Sequence, residues 1–492
     1  MRKLLSLALF ILLFTPLYGA EHRPKGHHLY IISTNDMHAN IDDMPRLATL
    51  VKEYETRGEV LIVDSGDRVT GNAYVDDDAK PGVPMIELMN HIGYDIVTLG
   101  NHEFDKGREA LNTMIKTSKF DWVCSNVKVL HGMKQIKPYK IVRYKGARIG
   151  FVGVVTTDMN GRPAGSEASY VDFSFTTDYE RAYEVCEMVD NRSDFVVLLS
   201  HMGLEADEHL AKWDVECDWI AGGHSHSVIN DEVMDVHISQ NRKDLRYVTI
   251  ADVWVYRGDV EGVTYEQVEL KNYDKDPYVE TIVEGIKARD PELNTVEMRL
   301  CEHATQDGVA NFTNEALATY PYDDGFVPEV CFYHFGGVRL SHIDAGDVKR
   351  VTLLNNDPFV STIYIGEMTP AQMRRFIIDK YNSGTKAQPD KESHYAYFRT
   401  TVPYEIVLDR ENINTPSGLV DAVDVIFPTL EEGRTYRVAM CNYIAENYID
   451  KSLVKEQLVK LEVTVREAML RLARDYGMEG YTPDNNLYQV ER

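Results

Sequence analysis

Short runs rich in Val, Ile and Leu recur along the first half of the chain, separated by stretches whose apolar residues fall at helical spacing. Such runs fit strands of a largely buried sheet and the stretches between them fit crossover helices, so residues 27–270 predict an α/β domain. The pattern places strands over 28–35, 59–64, 95–99, 148–155, 194–199 and 218–221. Helices fit over 45–54 and 84–92, opened by Pro45 and Pro84, whose fixed φ suits a first turn. The rhythm breaks at the polar segment 271–277, and a helix-like stretch then runs to about residue 290 and stops at Pro291. Residues 271–297 therefore read as a linker helix, and 298–492 as a second, α+β domain. Two domains also suit the length, since 492 residues exceed what one core ordinarily organises.

The first twenty residues stand apart. Arg2 and Lys3 precede the apolar run 4–14, which is followed by Pro16 and the small pair Gly19 and Ala20, the layout of a secretory signal peptide over 1–20. The run is too short to span a bilayer, so the processed chain is expected to be secreted, periplasmic or extracellular, without a stable membrane span. The formal net charge of −26 becomes −28 once Arg2 and Lys3 leave with the leader, and so acidic a surface repels nucleic-acid polymers and anionic membranes. A small anion remains an acceptable partner where metal ions or arginines reverse the local potential. The six cysteines fall three in each half with no C-x-x-C pair, which suits buried small hydrophobes rather than a disulfide framework.

Five short motifs each follow directly on an apolar run: Asn35-Asp36-Met37-His38, Ser65-Gly66-Asp67, Gly100-Asn101-His102-Glu103-Phe104-Asp105, Ser200-His201-Met202-Gly203 and Gly222-Gly223-His224-Ser225-His226. A donor at a strand end sits on rigid backbone with loops beside it that admit solvent, so five such ends converge on one site. Carboxylate, imidazole and amide oxygen suit Zn, Mn, Fe or Co, and the lack of thiolate argues against a zinc finger. Asp36, His38, Asp67, Asn101, His201, His224 and His226 are more donors than one tetrahedral ion uses. Two divalent metal ions sharing one carboxylate leave positions open for water and substrate. Glu103 and Asp42 read as supporting or surface groups, and Asp76-Asp77-Asp78 as a solvated loop.

The order D-x-H, G-D, G-N-H-E, H and G-H-x-H resembles the calcineurin-like metallophosphoesterases, with Ala39 where that family usually has glycine. The resemblance implies a two-sheet sandwich for the α/β domain. It also implies Asp36, His38 and His226 on one ion, Asn101, His201 and His224 on the other, and Asp67 as the bridge. His102 resembles the family's catalytic histidine and Asp105 the carboxylate that orients it. The chemistry so implied is hydrolysis of a phosphoric ester by a hydroxide activated between the ions, with His102 stabilising the charge that develops.

In the second half, Phe335-Gly336-Gly337-Val338-Arg339 with Gly346-Asp347 resembles the C-terminal substrate domain of the 5'-nucleotidase family. By that resemblance Arg339 grips the substrate phosphate, His334 replaces an asparagine, and Phe398 and Tyr443 are the two rings that hold a nucleobase. The family's G-G-D-G segment is replaced by Glu446-Asn447-Tyr448-Ile449-Asp450, with Asp450 as a shifted substitute for the aspartate that meets the ribose. The expected substrate is a small nucleotide, a nucleoside 5'-monophosphate first. A 2',3'-cyclic nucleotide phosphodiesterase with 3'-nucleotidase activity and a UDP-sugar hydrolase are the alternatives. A non-catalytic metal- or nucleotide-binding surface protein is opposed by His102 and Asp105, which a pure binder does not need.

Overall fold

The computed structural model describes residues 26–157, 161–165, 167–384, 397–409, 420–486 and 488–491. The expected leader lies outside them. The first domain is built on two six-stranded sheets. One orders Asp259–Glu269, Tyr247–Tyr256, His27–Thr34, Glu59–Asp64, Ile96–Val97 and Asp121–Trp122; the other orders Val228–Val233, Val236–Asn241, Trp219–Ala221, Phe195–His201, Ala147–Val155 and Tyr139–Tyr144.

Alternation along the strands explains why they read as unbroken apolar runs. Leu29, Ile31, Val63, Ile149, Phe151, Val197 and Leu199 share the core between the sheets. Their neighbours Ile32 and Ile62 face a layer of helices, Met44–Glu55, Val83–Ile92 and Gly107–Thr117. On the other side Val152, Val154, Val196 and Leu198 pack against Asp178–Asp190 and Leu204–Lys212. Both faces of each central strand are therefore buried, as period-two side-chain direction requires of a four-layer stack.

The strand expected over 95–99 is reduced to Ile96–Val97, because the chain beyond it turns toward Gly100. The strand expected over 194–199 instead extends to His201, so that candidate donor is itself a strand residue. Within each sheet the strands that carry the motifs run parallel: His27–Thr34 with Glu59–Asp64 and Ile96–Val97, and Phe195–His201 with Trp219–Ala221. Their carboxyl ends lie on one side, and Ser65 Oγ donates to Ala221 O at 2.6 Å to join the two sheets there.

The segment expected as a linker forms the helix Pro277–Lys287, capped by Asp276, whose carboxylate accepts from Tyr278 N and Val279 N. Val279, Val283 and Ile286 fall on one face and pack into the helical layer of the first domain. The second domain is α+β. Its mixed sheet orders Phe398–Thr400, Val330–His334, Tyr436–Cys441, Thr362–Met368 and Leu458–Thr464, and helices Gln306–Thr319 and Val465–Tyr476 pack on its core. It reaches the first domain at definite points, where Ala73 N donates to Asn355 Oδ1 at 2.8 Å and Arg466 Nη1 to Asp77 Oδ2 at 2.6 Å, and the linker adds Asn294, whose Oδ1 accepts from Tyr74 OH at 2.8 Å. Cys124, Cys186, Cys217, Cys331 and Cys441 are buried and Cys301 is exposed. No helix among the described residues is long and apolar enough to cross a membrane.

Candidate metal centre

Where the strands end, the backbone turns left-handed. Asp36, His38, Asp67, His224 and His226 have φ of 48°, 43°, 54°, 76° and 55°. Non-glycine residues take such angles at an energetic cost, and runs of them gather where a side chain must be aimed against backbone preference. Ala39, at φ 56°, occupies the same region, which is the physical reason glycine suits that position. Close approach of two loops excludes side chains at two others. A Cβ on Gly66 would lie 2.5 Å from Gly100 N, and one on Gly100 would lie 2.2 Å from Asp67 Oδ1. Glu103 ties these loops together. It accepts from Asp67 N at 3.0 Å, Arg68 N at 3.0 Å and Gly100 N at 2.5 Å, so the reading of it as a supporting group applies and the surface alternative does not.

The structure brings the candidate donors into three overlapping clusters: Asp36, His38 and His226; Asp67, His201 and His224; and His38, Asp67 and His102. Asn101 joins the second, its Oδ1 3.0 Å from His224 Nδ1. Hydrogen bonds fix two tautomers. His38 Nδ1 donates to Thr70 O at 3.0 Å and His201 Nδ1 to Ser65 O at 2.7 Å, which turns each Nε2 inward as the atom that would meet a metal. His38 Nε2 lies 3.1 Å from His226 Nε2, which lies 3.4 Å from Asp36 Oδ1. His201 Nε2 lies 3.1 Å from Asp67 Oδ2, yet it is buried without a well-formed hydrogen bond. Lone pairs converging on each other and on carboxylates fit divalent cations. His102 closes the group: Asp67 Oδ1 accepts its amide at 2.8 Å, and its Nδ1 meets Asp105 Oδ2 at 2.7 Å.

The electrostatics agree. Burial, and then the charge of Arg339, push His38 well below the usual imidazole range; burial and the charge of His201 bring His224 down to about 3. Both rings stay neutral, as donors to a metal must be. Burial works to raise Asp67, but the charges of His201 and His102 outweigh it and hold the carboxyl well below the usual carboxylate range. His201 is the counterpart: burial lowers it, while the charge of Asp67 pushes it up to about 10. In chelated protein at pH 8 His201 therefore carries a proton that a cation must displace, so adding Zn²⁺ or Mn²⁺ in weak buffer should release at least about one proton per chain. Ions bound with no fall in pH would contradict this.

Comparison with known proteins agrees with the geometry. Residues 29–228 match the calcineurin-like phosphoesterase family, and residues 287–450 match the 5'-nucleotidase C-terminal domain. The chain pairs a calcineurin-like phosphoesterase domain with a 5'-nucleotidase C-terminal domain. It is 25% identical over 481 residues to the trifunctional nucleotide phosphoesterase YfkN of Bacillus subtilis, covering 85% of this chain but 32% of that protein. The chain thus spans about a third of the length of this relative. It is 24% identical over 500 residues to the protein UshA of Yersinia enterocolitica, covering 87% of this chain and 86% of the other. The 5'-nucleotidase precursor of Thermus thermophilus shares the fold, with a TM-score of 0.78 at 19% identity over 94% of this chain and 99% of that one.

The site draws on both domains. Arg339 Nη2 lies 3.1 Å from His38 Nδ1, which brings the guanidinium of the second domain to the edge of the donor cluster. Phe398 does not reach it. Its ring has no exposed area and packs on Phe376 and Tyr448, because its strand, at the edge of the second domain's sheet, turns this side chain into that domain's core. The ring beside the centre is Phe359, missed by sequence reasoning, at 5.7 Å from both the His102 ring and the Arg339 guanidinium. Only the adjacent Pro358, marking a loop between elements, hinted at it. Tyr443 stacks on His334 with centroids 4.3 Å apart. Asp450 caps the helix Lys451–Gln457 through Ser452 N, so its expected role at a ribose is unsupported. The acidic run is not a solvated loop. Asp76 is buried on backbone amides, Asp77 meets Arg466 and Asp78 meets Arg289.

Proposed function

We propose that Asp36, His38 and His226 hold one divalent ion, that Asn101, His201 and His224 hold a second, and that Asp67 bridges them in an exported hydrolase of small nucleotides. Nucleoside 5'-monophosphates are the first substrates to consider, and Zn, Mn, Fe or Co the ions. The observation that carries this reading is the shared carboxylate: Asp67 belongs to both the cluster with His201 and His224 and the cluster with His38 and His102. Bound ions would supply an acidified water and neutralise phosphoryl charge. Around them the chain's own groups have separable tasks.

Asp105 holds His102 by Nδ1, and His102 Nε2 lies 3.8 Å from Asp67 Oδ2, on the side where a phosphoryl group would meet the bridge. Burial disfavours the charged ring, but Asp67 and Asp105 outweigh it and raise the His102 pKa, which favours the protonated form of a ring whose Nε2 is free to meet a phosphoryl or leaving oxygen. Arg339 presents a planar fork to the phosphate, and Phe359 screens the same edge from water. Removing the fork in Arg339→Ala should lower kcat/KM by roughly 10- to 100-fold, mostly through KM, at unchanged metal content. An unaltered KM would remove Arg339 from the substrate.

The test of the whole reading is a hydrolysis panel on chelated protein reloaded with each metal. Rapid phosphate release from AMP supports it; preference for a 2',3'-cyclic nucleotide or for UDP-glucose moves the substrate to one of the alternatives, which the engagement of Asp450 as a cap leaves in play. Inactivity with every metal and substrate defeats it. Export rests on residues 1–20, and a mature N-terminus at Glu21 is the check.

A further inference from the structure

Between the bridging Asp67 and the short helix Ala73–Asp76, the chain passes through Thr70, a buried residue with φ 67°. Left-handed backbone is rare for a β-branched side chain and persists only where the surroundings over-determine it. Here they do. Asp76 accepts from Thr70 N at 2.9 Å, Gly71 N at 2.7 Å and Asn72 N at 2.9 Å, so one buried carboxylate clamps three successive amides of the turn. The second domain grips the next residues, through Asn355 at Ala73 and Arg466 at Asp77.

The clamped turn offers two groups to the site. Thr70 O accepts from His38 Nδ1 at 3.0 Å, and Thr70 Oγ1 donates to Asp105 Oδ2 at 2.9 Å, the same oxygen that meets His102 Nδ1 at 2.7 Å. A right-handed φ at Thr70 would swing the carbonyl and the hydroxyl away from these partners. We propose that Thr70 is a positioning residue that aligns the Asp105–His102 pair through its hydroxyl and His38 through its carbonyl, with Asp76 locking the backbone angle that lets it do both. This rests on the assignment of His102 and Asp105 made above. It accounts for the strained angle and for the buried carboxylate, neither of which the proposed chemistry itself uses.

The two contacts separate by substitution. Thr70→Val keeps the shape and the carbonyl and removes the hydroxyl, so kcat should fall roughly tenfold, with KM within about twofold and bound metal per chain unchanged. Thr70→Ser restores the hydroxyl and should recover at least about a third of wild-type kcat. In an Asp105→Ala background, Thr70→Val should have almost no further effect, because the hydroxyl acts through that carboxylate. A kcat unchanged in Thr70→Val, an equal fall in Thr70→Ser, or a full further fall in the Asp105→Ala background would each overturn the proposal. Metal content and melting temperature identify a variant that has merely failed to fold, and Thr70→Ala then replaces Thr70→Val with the same expected pattern. Wild-type protein without metal-dependent hydrolysis would defeat the proposed function instead, so the two failures are distinguishable.

Discussion

Asp67→Ala is expected to lose both ions at neutral pH and to lower turnover by at least roughly a thousandfold, since metal ions contribute several kcal/mol to such reactions. Asp67 lies between two of the clusters, with His201 Nε2 at 3.1 Å, His102 Nε2 at 3.8 Å, and the amide of His102 at 2.8 Å. Without it His201, whose raised pKa depends on this carboxylate, falls back toward the neutral form, and the nearby cations meet one negative charge fewer. Asp67→Asn should fare only a little better, because the amide preserves the shape but not the charge that draws two dications together. Elemental analysis beside phosphate release checks both variants. Two ions per chain and near-normal turnover in Asp67→Ala would dismantle the shared-carboxylate arrangement.

His102→Ala is expected to separate chemistry from metal binding, with kcat falling by roughly 10²- to 10⁴-fold while the ions remain. The seven proposed donors do not include His102, and Nδ1 is committed to Asp105. Asp105→Asn should lower kcat by up to roughly the same factor, since a neutral amide no longer supports the ring's charge and can reverse its tautomer. Turnover of His102→Ala within a few-fold of wild type, metals bound, would take the histidine out of the reaction.

Parts of this architecture are legible without coordinates because their causes are local. A buried strand needs apolar residues on both faces, so 59–64 reads as a strand and is one, Glu59–Asp64. A proline fits a helix's first turn whatever surrounds it, and Val83–Ile92 carries Pro84 there accordingly. Phe398 and Phe359 show the limit. Both are phenylalanines near apolar runs, and nothing in their neighbours tells a ring sealed in a sheet from one presented by a loop. The aspartates at 76, 77 and 78 look interchangeable in the sequence, but the fold assigns them to a backbone clamp, an interdomain ion pair and a surface ion pair. Glu103 reads as an accessory of its motif, whereas its value lies in accepting amides from a loop 35 or 36 residues upstream.

Chemical type and order are properties of the chain itself: which side chains offer oxygen or nitrogen, that each follows a strand, and that carboxylates and imidazoles alternate as a hydrolase of this family arranges them. Proximity is not such a property. Asp36 and His226 meet although 190 positions separate them, and Arg339 meets His38 across 301, because two sheets stack with their carboxyl ends on one side and a second domain closes over them. Side-chain contact depends on those rigid-body placements and on left-handed turns at single residues, and no window of neighbouring residues contains either.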